Sequence, residues 1–220
     1  MDVDSAPTWE LMGEYIYWIG LVAVASAAAS GALEAGRKPS IDLFGGIVVG
    51  LAAAVGGGSL RDLLLDRPVF WLADQTYLLV AIGSAAVAGV LAETLAPPQR
   101  LFLLADAVGL ALFTVSGTRI ALDVGTPWFA ASLMGVMTGA FGGILRDVLC
   151  NEIPIVFRSE LYATAAWAGA LLLVVMRSSD LDRTLQAVIA GLLVFLLRMG
   201  GIRYGWKLPL LRTGEGGSSD

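Results

Sequence analysis

The chain has 220 residues, of which 57% are hydrophobic and 15% charged, and its mean hydropathy is +0.77. An ordinary soluble domain carries roughly 25% charged residues, so this composition excludes a soluble globular fold. The net charge of -5 provides no basic face for nucleic acid. The chain has no histidine and a single cysteine, Cys150, which excludes a histidine base, a histidine-ligated metal and an intrachain disulfide. With no activated nucleophile visible either, we do not expect an enzyme.

Apolar stretches of membrane length run almost from one end of the chain to the other. A stretch of about 18 or more apolar residues predicts a helix that crosses the bilayer. The sequence therefore predicts an all-α membrane protein, with one transmembrane domain over residues 1–220 and a short polar tail over 203–220. The seven expected helices cover 14–34, 42–65, 76–95, 101–120, 128–150, 160–177 and 184–200.

The distribution of lysine and arginine outside these helices predicts the orientation, because positive residues concentrate on the cytoplasmic side. Eight of them fall on one side and four on the other, which places the C-terminus in the cytoplasm and the N-terminus outside. The larger set is Arg37, Lys38, Arg100, Arg158, Arg198, Arg203, Lys207 and Arg212, and the smaller set is Arg67, Arg119, Arg177 and Arg183.

An internal repeat relates the two halves of the chain. Residues 57–62, GGSLRD, recur at 142–147 as GGILRD, an offset of 85 residues. Repeat 1 then covers about 14–95 and repeat 2 about 101–178, and helix 7 follows at about 184–200. Because each repeat holds three helices, an odd number, the second copy must enter the membrane from the opposite side. Inverted repeats of this kind place a binding or conducting site near the midplane of the bilayer.

Each repeat carries a glycine cluster inside its second helix. A glycine costs a helix about 1 kcal/mol relative to alanine, and a cluster permits a kink that exposes backbone carbonyl groups. We therefore expect helices 2 and 5 to be kinked and to line a pore or binding site. The alternative is that the small residues only let helices pack closely. The clusters are Gly56, Gly57 and Gly58 in helix 2, and Gly139, Gly142 and Gly143 in helix 5.

An arginine and an aspartate follow each glycine cluster. Ionisable groups at membrane depth cost several kcal/mol unless they are paired or hydrated. Since neighbouring residues on a helix diverge by about 100°, we expect each charge to find its partner across the axis. This hypothesis pairs Arg61 with Asp147 and Arg146 with Asp62. The alternative is that these charges anchor helix ends at the interface.

Four further polar residues are candidates for a site. Asp106 lies in helix 4, where Gly20 stands at the matching place of repeat 1. An unmatched acid can line a hydrated path as a cation or proton site, or it can snorkel to the interface. Arg119, near the far end of helix 4, is a candidate gating charge, with a helix-end anchor as the simpler interpretation. Ser59 and Thr138 offer hydroxyl groups to an ion, or serve helix packing.

The doubled motif, together with residues 106–118, DAVGLALFTVSGT, resembles the prokaryotic trimeric intracellular cation (TRIC) channels. The resemblance extends over helices 1 to 6. It implies a homotrimer in the inner membrane of a prokaryotic cell, in which each seven-helix protomer passes potassium or sodium ions through its own pore along kinked helices 2 and 5, without a bound cofactor.

Carried over to this sequence, the resemblance makes the two glycine clusters hinges and places Arg61, Asp62, Arg146 and Asp147 near the pore. An acid is expected near position 20, where this chain has Gly20. The same family has been described as transporting small amino acids such as glycine. A secondary transporter is therefore the alternative, in which arginines and helix N-termini hold the carboxylate of the substrate.

Overall fold

The computed structural model describes residues 14–95, 98–158 and 161–206, which form α-helices joined by short connections, with no β-strand within these ranges. A four-residue helix, Phe70–Ala73, follows α2, and a 3-10 turn, Ile155–Phe157, follows α5. The longer helices are α1 (Glu14–Ala35), α2 (Leu43–Leu64), α3 (Thr76–Leu95), α4 (Gln99–Asp123), α5 (Trp128–Leu149), α6 (Ala163–Met176) and α7 (Arg183–Tyr204).

Six of these helices, α1 to α5 and α7, are long and apolar enough to cross a membrane. The prediction of an all-helical membrane protein is therefore confirmed. The remaining long helix, α6, is apolar but has only 14 residues. This length corresponds to about 21 Å of helix, whereas the hydrocarbon core of a bilayer is about 30 Å thick. Helix α7 continues to Tyr204, beyond the predicted end at residue 200. Most of the predicted polar tail lies outside the described residues.

Local signals in the sequence fix several helix ends. Asp42 caps α2 by accepting a hydrogen bond from the backbone N–H of Gly45, and Asp182 caps α7 in the same way. Prolines 98 and 127 immediately precede α4 and α5, where a missing N–H costs nothing. Gly205 ends α7 in the left-handed conformation, with φ 66°.

Helix α4 lies at the centre of the bundle and α3 at its edge. The most apolar 18-residue stretch of α4 is 67% buried, whereas that of α3 is 22% buried. Helix α4 packs against α1, α5, α6 and α7. Asp106, Ser116 and Arg119 of α4 lie inside the protein.

Equivalent glycine contacts join the first two helices of each half. A Cβ atom at Gly31 would lie 2.6 Å from the Cα atom of Gly50, and one at Gly117 would lie 3.2 Å from that of Gly135. Only small residues allow backbones to approach this closely. The contact between α1 and α2 thus recurs between α4 and α5.

Candidate functional site

Helices α2 and α5 cross at the two glycine clusters. A Cβ atom at Gly57 would overlap the carbonyl oxygen of Thr138, and one at Gly142 would overlap that of Ala53. Positions 53 and 138 are separated by the same 85 residues as 57 and 142, so each helix makes the same contact with the other. Both helices are continuous through their clusters. The close packing of the two backbones occupies the space that the missing side chains leave.

The remaining cluster glycines make room for groups on neighbouring elements. A Cβ atom at Gly58 would lie 2.5 Å from the ring of Phe70, and one at Gly143 would lie 2.7 Å from the hydroxyl of Tyr162. The structure also places Gly56 against the side chain of Leu145, and Gly139 against α4 near the carbonyl oxygen of Leu110. Each of these four glycines is therefore in close contact with a neighbouring side chain or backbone group.

Arg146, on α5, is 1% exposed and binds two carboxylates. Its Nε donates to Asp147 Oδ1 at 2.8 Å, and its Nη1 donates to Asp106 Oδ1 at 2.6 Å. Asp106 comes from α4 and is itself buried. In so dry a site, charge-assisted hydrogen bonds are strong and geometrically demanding. The Arg146 site, defined by Arg146, Asp147 and Asp106, therefore ties α5 to the central helix.

Four further groups surround the Arg146 site. Its Nη1 also donates to Ser30 Oγ on α1 at 3.2 Å, and the Tyr162 hydroxyl donates to Asp106 Oδ1 at 3.3 Å. The guanidinium lies 4.7 Å from the ring centre of Phe102, within range of a cation–π interaction. The other oxygen of Asp147 accepts a hydrogen bond from the backbone N–H of Ile155 at 2.8 Å.

Arg61, on α2, has fewer partners. Its Nε and Nη2 both lie 2.8 Å from Asp62 Oδ1, and Asp62 Oδ2 accepts from the backbone N–H of Phe70 at 2.9 Å. The guanidinium lies 5.7 Å from the Phe70 ring centre. We call Arg61 and Asp62, with the groups around them, the Arg61 site.

The expected pairing across the axis is wrong. Arg61 binds Asp62 rather than Asp147, and Arg146 binds Asp147 and Asp106 rather than Asp62. The physical reason is the length of the arginine side chain, which folds back to the next residue although the two Cβ atoms diverge. Both arginines are nearly fully buried, so neither reaches out to an interface.

The partners of Arg61 and Arg146 differ on the first helix of each half. Where Asp106 meets Arg146, repeat 1 has Gly20, and a Cβ atom there would lie 3.0 Å from the Tyr77 hydroxyl. Tyr77 and Tyr162 match at the offset of 85. The tyrosine is thus present beside both arginines, whereas the acid is present beside only one.

The other predicted polar residues hydrogen-bond locally. Ser59 donates to Val55 O at 2.7 Å and accepts from Trp71 Nε1 at 2.8 Å, and Thr138 donates to Met134 O at 2.6 Å.

Arg119 is 5% exposed and lies inside the bundle. Its Nη1 donates to Gln186 Oε1 at 3.4 Å, and its Nε lies 3.5 Å from the carboxylate of Asp123. It is therefore a buried link between α4 and α7 rather than an exposed anchor.

Sequence reasoning missed Tyr162 and Arg198. Arg198 is fully buried on α7, with its guanidinium 5.0 Å from the Tyr162 ring centre. The match of Tyr162 to Tyr77 was an available signal, but Arg198 has no counterpart because α7 lies outside the repeats. Removing the buried Arg119 and Arg198 from the charge count leaves seven against three, so the predicted orientation is unchanged.

Comparison with known proteins places this arrangement in a family. A family model described as a glycine transporter matches residues 17–93 and 103–178. The UPF0126 inner membrane protein YadS of Escherichia coli K12 is 40% identical over 205 residues, which cover 92% of this chain and 99% of that protein. The UPF0126 membrane protein YvgT of Bacillus subtilis is 31% identical over 203 residues, which cover 91% of this chain and 95% of that protein.

Solved structures agree with these matches. The TRIC channel orthologue from Rhodobacter sphaeroides superposes with a TM-score of 0.81 at 38% identity, covering 87% of this chain and 98% of that one. The chain belongs to the prokaryotic TRIC channel family. A second prokaryotic TRIC channel, crystallised in 0.5 M KCl, superposes with a TM-score of 0.80 at 29% identity, covering 88% of this chain and 98% of that one. A TRIC channel from C. elegans, at 15% identity and a TM-score of 0.60, shares the fold.

Membership of the TRIC family confirms two predictions. The chain is a membrane protein with a TRIC-like fold, and it is not an enzyme, because its relatives are membrane proteins and cation channels.

An acidic cavity opens beside the Arg146 site of this TRIC-family chain. It has a volume of about 310 Å³, and its lining includes the carboxylates of Glu34, Asp147 and Glu152 with a single arginine, Arg158. Arg158 pairs with Glu152 at 2.9 Å, and Lys38 also binds Glu152. The hydrogen bond from Lys38 lowers the pKa of Glu152 below its usual value. Glu152 is therefore ionised at neutral pH.

Proposed function

We propose that this chain is a potassium-permeable channel for monovalent cations, with one pore per protomer along α2 and α5. Its likeness to the Rhodobacter sphaeroides TRIC structure supports a cation channel. The observation that carries the proposal is the neutralisation of both arginines on these helices, since each guanidinium lies within 2.8 Å of a carboxylate. An unpaired buried arginine would repel a passing cation.

The crossing of α2 and α5 is the proposed constriction of this pore. The backbones meet there without intervening side chains, at Gly57 and Gly142, so a small slide or bend of either helix changes the opening. Carbonyl and hydroxyl oxygens nearby, including those of Thr138 and Ser59, replace ion hydration. The acidic cavity supplies cations to one side. Asp106 belongs to the pore region as the partner of Arg146, and Arg119 is the proposed gating charge.

The proposed assembly is a homotrimer of seven-helix protomers in the inner membrane, with α6 as the sixth span, the N-terminus outside and no bound cofactor. The two segments that match the family model fall within the two predicted repeats, which supports an inverted duplication. The glycine contacts that recur at the 85-residue offset support it as well. The E. coli relative is described as an inner membrane protein, and the Rhodobacter sphaeroides relative as a trimeric channel.

Transport of glycine is the second candidate, because the matching family model is described as a glycine transporter. This function requires an arginine with donors available for the substrate carboxylate. Arg61 fits that requirement better than Arg146, whose Nη1 group is already held by Asp106 and Ser30.

Flux through purified protein in liposomes separates the two functions. Potassium flux is measured with the voltage clamped by an ionophore, beside uptake of labelled glycine. The channel predicts rapid, non-saturating potassium flux without glycine uptake. Gly142→Ala, at the crossing, is expected to lower that flux, whereas Gly83→Ala on α3, where an added Cβ meets nothing within 4 Å, serves as the control. Saturable glycine uptake without ionic conductance would instead establish the transporter.

A further inference from the structure

A small cavity that the proposed cation path does not use lies beside Arg61. Its volume of about 20 Å³ is enough for one water-sized species. Gly20, Tyr77 and Ser116 line it together with Arg61, and the rest of the wall is apolar, including Phe113 and Ile120.

The Arg146 site shows which groups an arginine at this position binds in this fold, although Nη2 of Arg146 and Oδ2 of Asp106 make no hydrogen bond among the described residues. In both sites the arginine Nε is held by the aspartate that follows it in sequence, at 2.8 Å. In the Arg146 site the Nη1 group then donates to Asp106. Within residues 14–95, 98–158 and 161–206, Arg61 hydrogen-bonds to Asp62 alone, through Nε, and its Nη2 lies 2.8 Å from the same carboxylate oxygen. The Nη1 group of Arg61 has no such acceptor among the described residues, whereas the Nη1 group of Arg146 is bound by the Asp106 carboxylate.

Asp62 cannot supply the missing acceptor. Its Oδ1 already receives Nε and Nη2, and its Oδ2 receives the backbone N–H of Phe70. Turning the carboxylate toward Nη1 would leave that N–H unsatisfied in a buried place, which costs about 1 to 3 kcal/mol. Phe70 begins the short helix after α2, so this hydrogen bond also fixes the chain where it leaves the membrane helix.

The polar groups around the cavity suit a negative ligand. They are a guanidinium, which only donates, the hydroxyl of Tyr77, which can donate, and the hydroxyl of Ser116, whose proton is donated to the carbonyl oxygen of Phe113 at 3.2 Å. None of the described residues that line it is acidic. The guanidinium offers a donor and no acceptor, and the lining provides no carboxylate ligand for a metal cation, so the cavity suits an anion better than a cation.

We propose that this cavity binds one small monovalent anion, chloride under cellular conditions. The anion sits against Arg61 Nη1, in the place that the Asp106 carboxylate takes on Arg146. The loss of the acid at Gly20 is then compensated by an ion from solution. The size of the cavity favours a single atom over the carboxylate of an amino acid.

Thermal unfolding of the detergent-purified protein tests this proposal without any flux measurement. The midpoint is compared in potassium chloride and potassium gluconate at equal ionic strength, while chloride is titrated. The wild-type midpoint is expected to rise saturably by about 3 °C, because the ligand binds only the folded state. Gly20→Asp supplies an internal carboxylate and is expected to abolish the response.

Gly20→Asn is the matched control, since it has the shape of aspartate without the charge. It fills the cavity, so it too loses the response, but in gluconate it unfolds at a lower temperature than Gly20→Asp. An added Cβ needs the Tyr77 ring to move by a few tenths of an ångström, a shift that the pairing of Asp106 with Tyr162 shows to be compatible with this fold.

If either variant fails to fold, anomalous diffraction from crystals of the wild-type protein soaked in bromide tests whether the cavity binds an anion. An anomalous peak within hydrogen-bonding distance of Arg61 Nη1 would establish the site. The absence of such a peak, or an equal chloride response in the wild type and Gly20→Asp, would overturn the proposal and leave water in the cavity. Stabilisation by glycine but not by chloride would also overturn it, in favour of carboxylate transport. Because no flux is measured, these outcomes are independent of whether the protein conducts cations.

Discussion

The Arg61 and Arg146 sites share one frame and differ in one carboxylate. In both, the aspartate holds its neighbouring arginine with one oxygen and a backbone N–H eight residues later with the other, at Phe70 or Ile155. A second acid, Asp106, reaches only Arg146. The shared part depends on the backbone, whose course the two halves have in common. The difference between the two sites depends on one side chain in the first helix of each half, Asp106 on α4 or Gly20 on α1. A substitution at either position can therefore change the partners of the arginine without changing the backbone around it.

The largest expected effect comes from removing the carboxylate that distinguishes the sites. Asp106→Asn leaves Arg146 buried with Asp147 as its remaining charged partner, and we expect the free energy of unfolding to fall by about 3 kcal/mol. Denaturant unfolding in mixed micelles measures the change. Glu93→Gln, at an exposed acid on α3, is the control and should stay within about 0.5 kcal/mol of the wild type. Equal losses in the two variants would mean that Asp106 adds nothing to the Arg146 site.

The glycine crossing should respond equally from both sides. Gly57→Ala and Gly142→Ala each push a Cβ atom into a backbone carbonyl group of the other helix. Overpacking of this kind costs typically 1 to 3 kcal/mol, and we expect about 2 kcal/mol for each variant in the same unfolding assay. Gly83→Ala, which meets open space, should be neutral or gain up to about 1 kcal/mol from helix propensity. Clearly unequal losses at 57 and 142 would contradict the symmetry of the crossing.

The matching tyrosines provide a smaller contrast. Tyr162→Phe removes the hydroxyl that donates to Asp106 and should cost about 1 kcal/mol. Tyr77→Phe removes a hydroxyl that has no protein acceptor among the described residues, so in chloride-free gluconate buffer it should be close to neutral. The comparison of the two midpoints checks this. A large loss in Tyr77→Phe without chloride would show that this hydroxyl has a structural role that the contacts of Tyr77 do not explain.

The smallest effect concerns the connections outside the helices. Because Lys38 lowers the pKa of Glu152, this pair contributes stability above the ordinary carboxyl pKa of 4.5 and loses it as the pH falls through the lower folded value. Lys38→Met should therefore flatten the acid side of a plot of unfolding midpoint against pH. At the 85-residue offset, Lys38 matches Asp123 in repeat 2 and Glu152 matches Arg67 in repeat 1, and the described structure has no ion pair between these two residues. Arg67→Met should leave the acid side unchanged, and a flattening there would contradict the assignment to Lys38.

Much of the site follows from periodic and repeated patterns. The apolar stretches placed Gly57, Gly142 and the charges four or five residues after them inside membrane helices. Because buried charge and clustered glycine are both unfavourable in such helices, these residues could be chosen as candidates for the site. The partners of those charges could not be predicted. An arginine side chain is long enough to reach several neighbours, so helical geometry at the Cβ atoms does not decide which carboxylate it binds.

The sequence by itself determined that this chain lies in a membrane, that a glycine and charge motif recurs at an offset of 85 residues, and which residues were candidates for buried charge. These conclusions follow from the composition, the length of the apolar stretches and the constant 85-residue offset, all of which can be read without knowing the fold. Only the tertiary structure decided that Asp106 and Tyr162 converge on Arg146, while Gly20 and Tyr77 leave a cavity at Arg61. These residues lie tens of positions apart, and their meeting depends on how α1, α3, α4 and α6 pack around the crossing helices, which no local sequence pattern predicts.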